Sequence, residues 1–175
     1  MRKQQKGFSL IELLIVVAII LIIAAIAIPN LMRAKIAAND SSAAGSERSI
    51  VTAEVGYFAA YPTIGYAANL ATLGGTLGVA CVPSTTTACF LDSTLGNNGN
   101  PAGTGKSGYN FVATPIAPTA TTPAEFWTTG TPLGATSGSK AYCATDDGVI
   151  RTQAAGVITL VGGYAPCQAL GALAN

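Results

Sequence analysis

A single carboxylate stands inside the most apolar stretch of this sequence. The segment from Phe8 to Ile28 carries one charge, that of Glu12. As a helix this segment would be about 31 Å long, close to the hydrocarbon thickness of a bilayer. A carboxylate at membrane depth costs roughly 2.5–3.5 kcal/mol, so Glu12 is a candidate for a functional role.

Two ordinary interpretations of the segment leave this charge unexplained. Three basic residues precede it, and Ala25-Ile26-Ala27 could supply the small-x-small cleavage site of a secretory signal peptide. The apolar run is long for such a peptide, and an acid inside it would be unusual. A plain membrane anchor is the other interpretation, and it gives Glu12 no purpose.

A third interpretation gives Glu12 a partner. Cleavage between Gly7 and Phe8 would create an α-amino group less than two helical turns from Glu12. A stiff helix holds the two groups apart within one chain, but the amine of one copy can meet the Glu12 of a staggered neighbour. Because buried charges are tolerated when they are paired, this contact would also fix the register of an assembly.

The segment from Lys6 to Pro29 resembles the N-terminus of the type IV pilin superfamily through its Gly7/Phe8 junction, its Glu12 and its apolar run. The resemblance implies that a prepilin peptidase cuts after Gly7 and methylates the new amine of Phe8. It also implies that the helix loosens around Pro29 during assembly.

Charge and composition exclude several other functions. The formal net charge is +1, and removal of residues 1–7 would leave six basic and eight acidic side chains. Neither value indicates a nucleic-acid partner. The basic leader is better interpreted as a signal that keeps the N-terminus in the cytoplasm. There is no His, the commonest general base and metal ligand. We therefore expect no enzyme, no cofactor and no bound metal.

Four cysteines follow an export-like N-terminus, which predicts two disulfides formed in an oxidising compartment. Three connectivities are open. We predict the local one, in which Cys81 pairs with Cys89 and Cys143 pairs with Cys167. A zinc site is disfavoured because no pair of cysteines has the usual ligand spacing.

One long helix must position the N-terminal segment. The sequence predicts it from Phe8 to about Tyr61, ended by Pro62 and locally kinked or loosened by Pro29. One face recurs at three- and four-residue steps, through Ile50, Ala53 or Glu54, Tyr57 and Tyr61. Charged residues return in this second half, which we therefore expect to be solvated on one side: Arg33, Lys35, Asp40, Glu47, Arg48 and Glu54.

The sequence after the long helix predicts loops and strands. A helical turn or two is expected within Tyr66–Leu73, and strands are expected at 109–114, 125–129 and 140–145. Residues 115–123 are predicted to be a Pro/Thr loop. Asp146-Asp147-Gly148 predicts a hairpin leading into a strand at 149–151. The two aspartates could instead bind calcium, although two neighbouring carboxylates are too few alone.

This arrangement resembles the pilin fold, an α+β fold in which a helix spine at about 8–61 packs against three or four antiparallel strands. The domain organisation would be a leader at 1–7, a transmembrane or filament-core half at 8–29 and a globular head at 30–175. The resemblance places Gly7 and Phe8 in processing and Glu12 and Pro29 in assembly. It also implies a C-terminal loop held by Cys143 and Cys167.

The function predicted from this resemblance is that of a type IV pilus subunit, of the type IVa-like major kind. The prepilin would lie in the inner membrane with its N-terminus in the cytoplasm, and would then polymerise with itself into an extracellular filament. The resemblance also implies an assembly platform, an ATPase and a secretin as partners. A pseudopilin of a type II secretion system and a minor pilin are the alternatives.

Overall fold

A computed structural model of the chain describes residues 8–153 and 162–173. The chain divides into two compact units, an N-terminal unit (Met1–Lys35) and a C-terminal unit (Ile36–Asn175). Helix α1 runs from Leu10 to Ala60. The predicted long helix is therefore confirmed, with two fewer residues at its start and one fewer at its end. The expectations for residues 1–7, Gly7 included, lie outside the described residues.

The part of α1 in the N-terminal unit is apolar on every side. Neither Gly nor Pro interrupts it before Pro29, and Leu, Ile, Val and Ala occupy nearly every position. In the single chain all described side chains of this unit are exposed to solvent, except for a partly covered Ala24. The helix is long enough and apolar enough to cross a membrane.

The C-terminal unit contains one antiparallel sheet of four strands in the order β1-β2-β3-β4. The strands are β1 (Tyr109–Ile116), β2 (Glu125–Pro132), β3 (Tyr142–Thr145) and β4 (Arg151–Thr152). Each strand pairs with the next one along the chain, as expected for short connections. The predicted helix-and-sheet fold is thus confirmed.

All four strands differ from the sequence prediction at one end or both: β2 runs on to Pro132, three residues beyond the prediction, and β3 begins at Tyr142, two residues later than predicted. Pro115 and Ile116 were expected in a loop, but they extend β1 and pair with Phe126 and Glu125. Proline is tolerated there because β1 is an edge strand. Conversely, Val149 and Ile150 were expected in a strand but precede β4. Both residues lie in the turn between β3 and β4, in which Gly148 has a φ of 74°.

Three short helices complete the part of the chain that the structure describes: α2 (Leu70–Leu73), α3 (Ser93–Gly96) and α4 (Tyr164–Gln168). Helix α2 lies inside the stretch where a helical turn was predicted. Helix α3 was not predicted. It begins because the carboxylate of Asp92 accepts a hydrogen bond from the N–H of Leu95 at 3.0 Å, the usual arrangement at a helix N-cap.

The core of the C-terminal unit lies between α1 and the sheet. Its largest fully buried apolar side chains come from α1, from the short helices and from the first two strands: Ile50, Tyr57, Leu73, Leu95, Tyr109, Phe111 and Phe126. The face of α1 predicted around Ile50 and Tyr57 is therefore the face that the core covers.

Both edges of the sheet have hydrogen-bonding partners. On the β1 edge, Asn98 donates to the carbonyl oxygen of Phe111 and accepts from its N–H, as a neighbouring strand would. On the β4 edge, the N–H of Thr152 donates to Gly171 at 3.2 Å, and the N–H of Leu173 donates to Ile150 at 2.8 Å. A side chain and a C-terminal segment thus stand where further strands would pair.

Candidate processing and assembly site

The structure places Phe8 immediately before α1. Its side chain is 87% exposed, and Ser9 separates it from the first helical residue, Leu10. A peptide bond in front of Phe8 is therefore not protected by helical hydrogen bonding of Phe8 itself.

Glu12 has a local role that the sequence analysis missed. Its Oε2 accepts a hydrogen bond from the N–H of Ser9 at 3.0 Å, and the carbonyl oxygen of Ser9 accepts from the N–H of Leu13 at 3.3 Å. Ser9 is thus the residue that caps α1, and Glu12 closes half of a capping box. The Ser-x-x-Glu spacing from Ser9 to Glu12 could have revealed it.

The carboxylate of Glu12 has acceptor positions that the capping bond does not use. An ionised Glu offers about four acceptor positions, and the N–H of Ser9 occupies one of them. The negative charge also lies in the first turn of α1, where its interaction with the positive end of the helix dipole stabilises the helix. The remaining positions of Glu12 can accept hydrogen bonds from a positive group outside this chain.

Pro29 lies inside α1, nineteen residues after its start. Because proline has no N–H, the carbonyl oxygen of Ala25 lacks its usual helical partner. The helix nevertheless continues through both residues to Ala60. Pro29 is therefore a local weakness in a helix that is otherwise uninterrupted in the N-terminal unit.

Three acidic residues in the second half of α1 are buried, so the expectation that they lie on a solvated face was wrong. Asp40, Glu47 and Glu54 recur every seventh residue, which places them on one face of the helix. Asp40 accepts from the hydroxyl of Tyr109 at 2.5 Å and from the N–H and hydroxyl of Ser139 at 2.9 and 2.5 Å. These bonds tie α1 to β1 and to the segment before β3.

Glu47 and Glu54 are fully buried, each with one bonded oxygen. Glu47 accepts from the hydroxyl of Thr128 at 2.6 Å, and Glu54 accepts from the N–H of Ala67 at 2.9 Å. Among the described residues, the other carboxylate oxygen of each has no hydrogen-bond partner. Burial raises the pKa of Glu47 to about 8 and that of Glu54 to about 7. Periodicity alone could not show this, because the seven-residue spacing also fits an exposed polar stripe.

The four cysteines form two disulfides. Cys81 is joined to Cys89 across eight residues of sequence, and Cys143 to Cys167 across twenty-four. The structure thus brings together both of the expected pairs. The second disulfide fastens α4 to β3, so it holds the C-terminal segment against the sheet.

Asp146 and Asp147 occupy the turn after β3, and each has a protein partner. Asp147 accepts from Arg151, from the hydroxyl of Thr145 and from the N–H of Val149. The hydrogen bond from Arg151 holds the pKa of Asp147 at about 2, below its ordinary value. Asp146 accepts from the hydroxyl of Tyr164 at 2.6 Å. Among the residues that the structure describes, no three acidic or cysteine side chains cluster as metal ligands.

Comparison with known proteins gives matches to the start of the chain. The family described as the prokaryotic N-terminal methylation motif matches residues 2–28. The type IV wide pilus major component PilA4 of Thermus thermophilus is 62% identical over 39 residues, which cover 22% of this chain and 30% of that protein. The type IV major pilin protein PilA of Myxococcus xanthus is 46% identical over 55 residues, covering 31% and 25%.

The match therefore spans less than a third of the length of these curated relatives. No solved structure matches the chain. The similarity begins at the leader and covers Phe8, Glu12 and the apolar helix, where the structure has the exposed start of α1. Residues 2–28 thus carry the methylation motif, and part of the chain is similar to curated type IV pilins.

Proposed function

We propose that the protein is a structural, non-catalytic subunit of a type IV pilus. The observation that carries this proposal is the exposed apolar surface of α1 from Leu10 to Ile28, which bears one carboxylate close to its start. An apolar surface of this extent is not stable in water and requires lipid or other protein chains. A bilayer would cover it before assembly, and identical helices would cover it in a filament.

Processing would prepare the N-terminus for assembly. We propose cleavage after Gly7 by a prepilin peptidase, followed by methylation of the Phe8 amine. The match to the methylation motif and the exposed, non-helical position of Phe8 support this step. The new amine would lie beside Ser9, whose N–H already bonds to Glu12 in the same chain.

Glu12 would then set the register of the filament. In the proposed assembly it retains its bond to Ser9 and accepts the Phe8 amine of a neighbouring copy. A pair of opposite charges in a dry helical bundle is stable only when the two groups meet, so displaced registers are disfavoured. Pro29 would provide the point at which α1 loosens when subunits pack.

The location of the chain would change during its lifetime. We propose a prepilin that crosses the inner membrane once through residues 8–29, with the leader (residues 1–7) in the cytoplasm and residues 30–175 outside it. An assembly platform, an ATPase and a secretin would extract it into an extracellular homopolymer. No cofactor and no nucleic acid takes part in this scheme.

The decisive experiment is the intact mass of the protein in material sheared from the cell surface, with and without reduction. A chain that begins at Phe8, carries one extra methyl group and gains four hydrogens on reduction supports the proposal. A processed chain found in the membrane fraction alone would indicate a type II pseudopilin instead. A chain that retains Met1 would indicate a plain anchor, and one that begins at Ile28 a signal peptide.

Two variants of Gly7 make the processing test specific. Gly7→Leu is expected to leave the leader attached because a bulky side chain would obstruct the peptidase, whereas Gly7→Ala is expected to be cleaved nearly as well as the native chain. Efficient cleavage of Gly7→Leu would contradict the proposed peptidase step.

A further inference from the structure

One end of the C-terminal unit carries a cleft with two positive side chains. The cleft has a volume of about 400 Å³, and its walls include Arg48 from α1, Lys140 from the segment before β3 and Tyr142 at the start of β3. Among the described residues, Arg48 and Lys140 make no ion pair. Asp40 also lines the cleft, but both of its oxygens already accept hydrogen bonds from Tyr109 and Ser139.

The other end of the sheet carries an acidic corner formed by Glu125 and Asp146. Glu125 begins β2, and Asp146 follows the last residue of β3. Continued two residues past the pair of Trp127 and Thr145, the antiparallel register sets Glu125 opposite Asp147 and next to Asp146. Asp146 accepts a hydrogen bond from the hydroxyl of Tyr164 at 2.6 Å. Arg151 pairs with Asp147, which leaves Glu125 and Asp146 without a cation among the described residues.

The strand register places the two features at opposite ends of the sheet. Trp127, close to Glu125, pairs with Thr145, whereas Gly130 pairs with Tyr142. Lys140 and Asp146 therefore flank β3 on its two sides. At about 3.4 Å per residue their backbones are roughly 20 Å apart. The positive cleft and the acidic corner of one chain cannot neutralise each other.

We propose that the basic cleft at Arg48 and Lys140 of one copy receives the acidic corner at Glu125 and Asp146 of a second copy. The partner follows from charge complementarity, because each copy offers both halves of the contact. Two different surfaces meet in such a contact, so it is head-to-tail, and repeated contacts of this kind can propagate a filament. This inference rests on the proposed function and adds to it a contact outside α1 that orients neighbouring subunits.

Carbodiimide cross-linking of native filaments tests the contact directly, since this reagent joins an amine to a carboxylate that touches it. We expect peptides that link Lys140 to Glu125 or Asp146, present in filaments and absent from the detergent-solubilised monomer. The chain supplies an internal control, because Lys106 and Asp92 lie 3.1 Å apart within one copy. That link should form in both samples.

Charge reversal provides a second readout. Lys140→Glu is expected to reduce filament yield roughly fivefold, because it opposes like charges at every repeat of the contact. The double variant Lys140→Glu/Glu125→Lys should recover most of that loss. Lys106→Glu is the matched control, since the partner of Lys106 is in its own chain, and it should assemble like the native protein. Circular dichroism checks that each variant is folded.

The outcomes separate this inference from the proposed function. Filaments that yield the Lys106–Asp92 link but no link from Lys140 to Glu125 or Asp146 would overturn the inference and leave the pilus assignment intact. Native yield from Lys140→Glu would overturn it as well. If the native chain formed no filament at all, the inference and the proposed function would fall together.

Discussion

Carboxylates have opposite surroundings in the two halves of α1: exposed in the first half and buried in the second. In the N-terminal unit, Glu12 stands on an exposed apolar surface and bonds to the backbone at the start of its own helix. In the C-terminal unit, Asp40, Glu47 and Glu54 lie beneath strands and loops of the same chain. The three buried acids have their hydrogen-bond partners within the fold, whereas Glu12 has acceptor positions left for a group on another molecule. Acidic side chains in the C-terminal unit thus serve the internal fold, whereas Glu12 is the one to which we assign a contact with another copy in the proposed assembly.

The largest expected effect comes from removing the charge of Glu12 while keeping its cap. Glu12→Gln retains an oxygen that can accept the N–H of Ser9, but it cannot attract an amine. We expect at least a roughly tenfold loss of filaments with normal membrane insertion, since breaking a buried charge pair costs about 3–5 kcal/mol. Filament yield is measured by shearing. Native yield from Glu12→Gln would show that Glu12 acts as a helix cap alone.

The buried acids Glu47 and Glu54 predict an unusual dependence of stability on pH. Because the pKa values of Glu47 and Glu54 are raised to about 8 and 7, the folded chain binds more protons than the unfolded chain above about pH 4.5. The free energy of unfolding should therefore fall as the pH rises from about 4.5 to 8, by up to about 1.4 kcal/mol per pH unit for each group. Denaturant unfolding of the full chain in detergent measures this slope.

A matched pair of variants identifies the groups responsible. Glu47→Gln should flatten the pH dependence, because an amide at this position cannot titrate. Glu54→Gln should remove the part of the slope that Glu54 contributes. Stability that rises between pH 5 and 8 in the native chain would contradict the assignment.

Close packing around Glu47 predicts a smaller effect. A Cβ atom at Gly130 would lie 2.8 Å from Oε1 of Glu47 and 2.8 Å from the ring of Phe111. Gly130→Ala should therefore destabilise the C-terminal unit by about 1–3 kcal/mol. A Cβ at Gly134 would meet nothing within 4 Å, so Gly134→Ala is the control. Equal denaturation midpoints for the two variants would mean that Glu47 moves aside at little cost.

The smallest effect is expected at the exposed turn after β3. The pKa of Asp147 is lowered to about 2, so its contribution to stability is present above about pH 4 and is lost as the pH falls toward 2. Because the pair with Arg151 is near the surface, Asp147→Asn should cost less than about 1 kcal/mol at neutral pH. A double-mutant cycle with Arg151→Gln measures the coupling, and a value above about 2 kcal/mol would contradict this ranking.

Sequence patterns predicted the features that repeat locally. The uninterrupted apolar run and Pro62 fixed the long helix, and Asp146-Asp147-Gly148 located the hairpin between β3 and β4. The burial of Glu47 and Glu54 was not predictable in this way. It depends on Thr128 and Ala67, which are distant in sequence and reach α1 through the tertiary fold.

The candidate site was predictable for a different reason. Phe8, Ser9 and Glu12 lie within five consecutive residues, so their spacing is readable without the rest of the fold. The hydrogen bond from the N–H of Ser9 to Glu12 is equally local, and the Ser-x-x-Glu spacing is sufficient to predict it. The positions of the complementary charges at the two ends of the sheet could not be predicted, because they follow from the strand register, which depends on the tertiary fold.

The covered edges of the sheet have a consequence for the proposed assembly, in which many copies would be concentrated in one place. An open strand edge is a template for uncontrolled pairing between chains, and crowding at a growing polymer end would favour it. Asn98 occupies one edge at Phe111, and residues 171–173 occupy the other. In the proposed filament, contacts between copies would therefore run through helices and side chains. Asn98→Ala is expected to leave the backbone of Phe111 open to strand pairing with another chain.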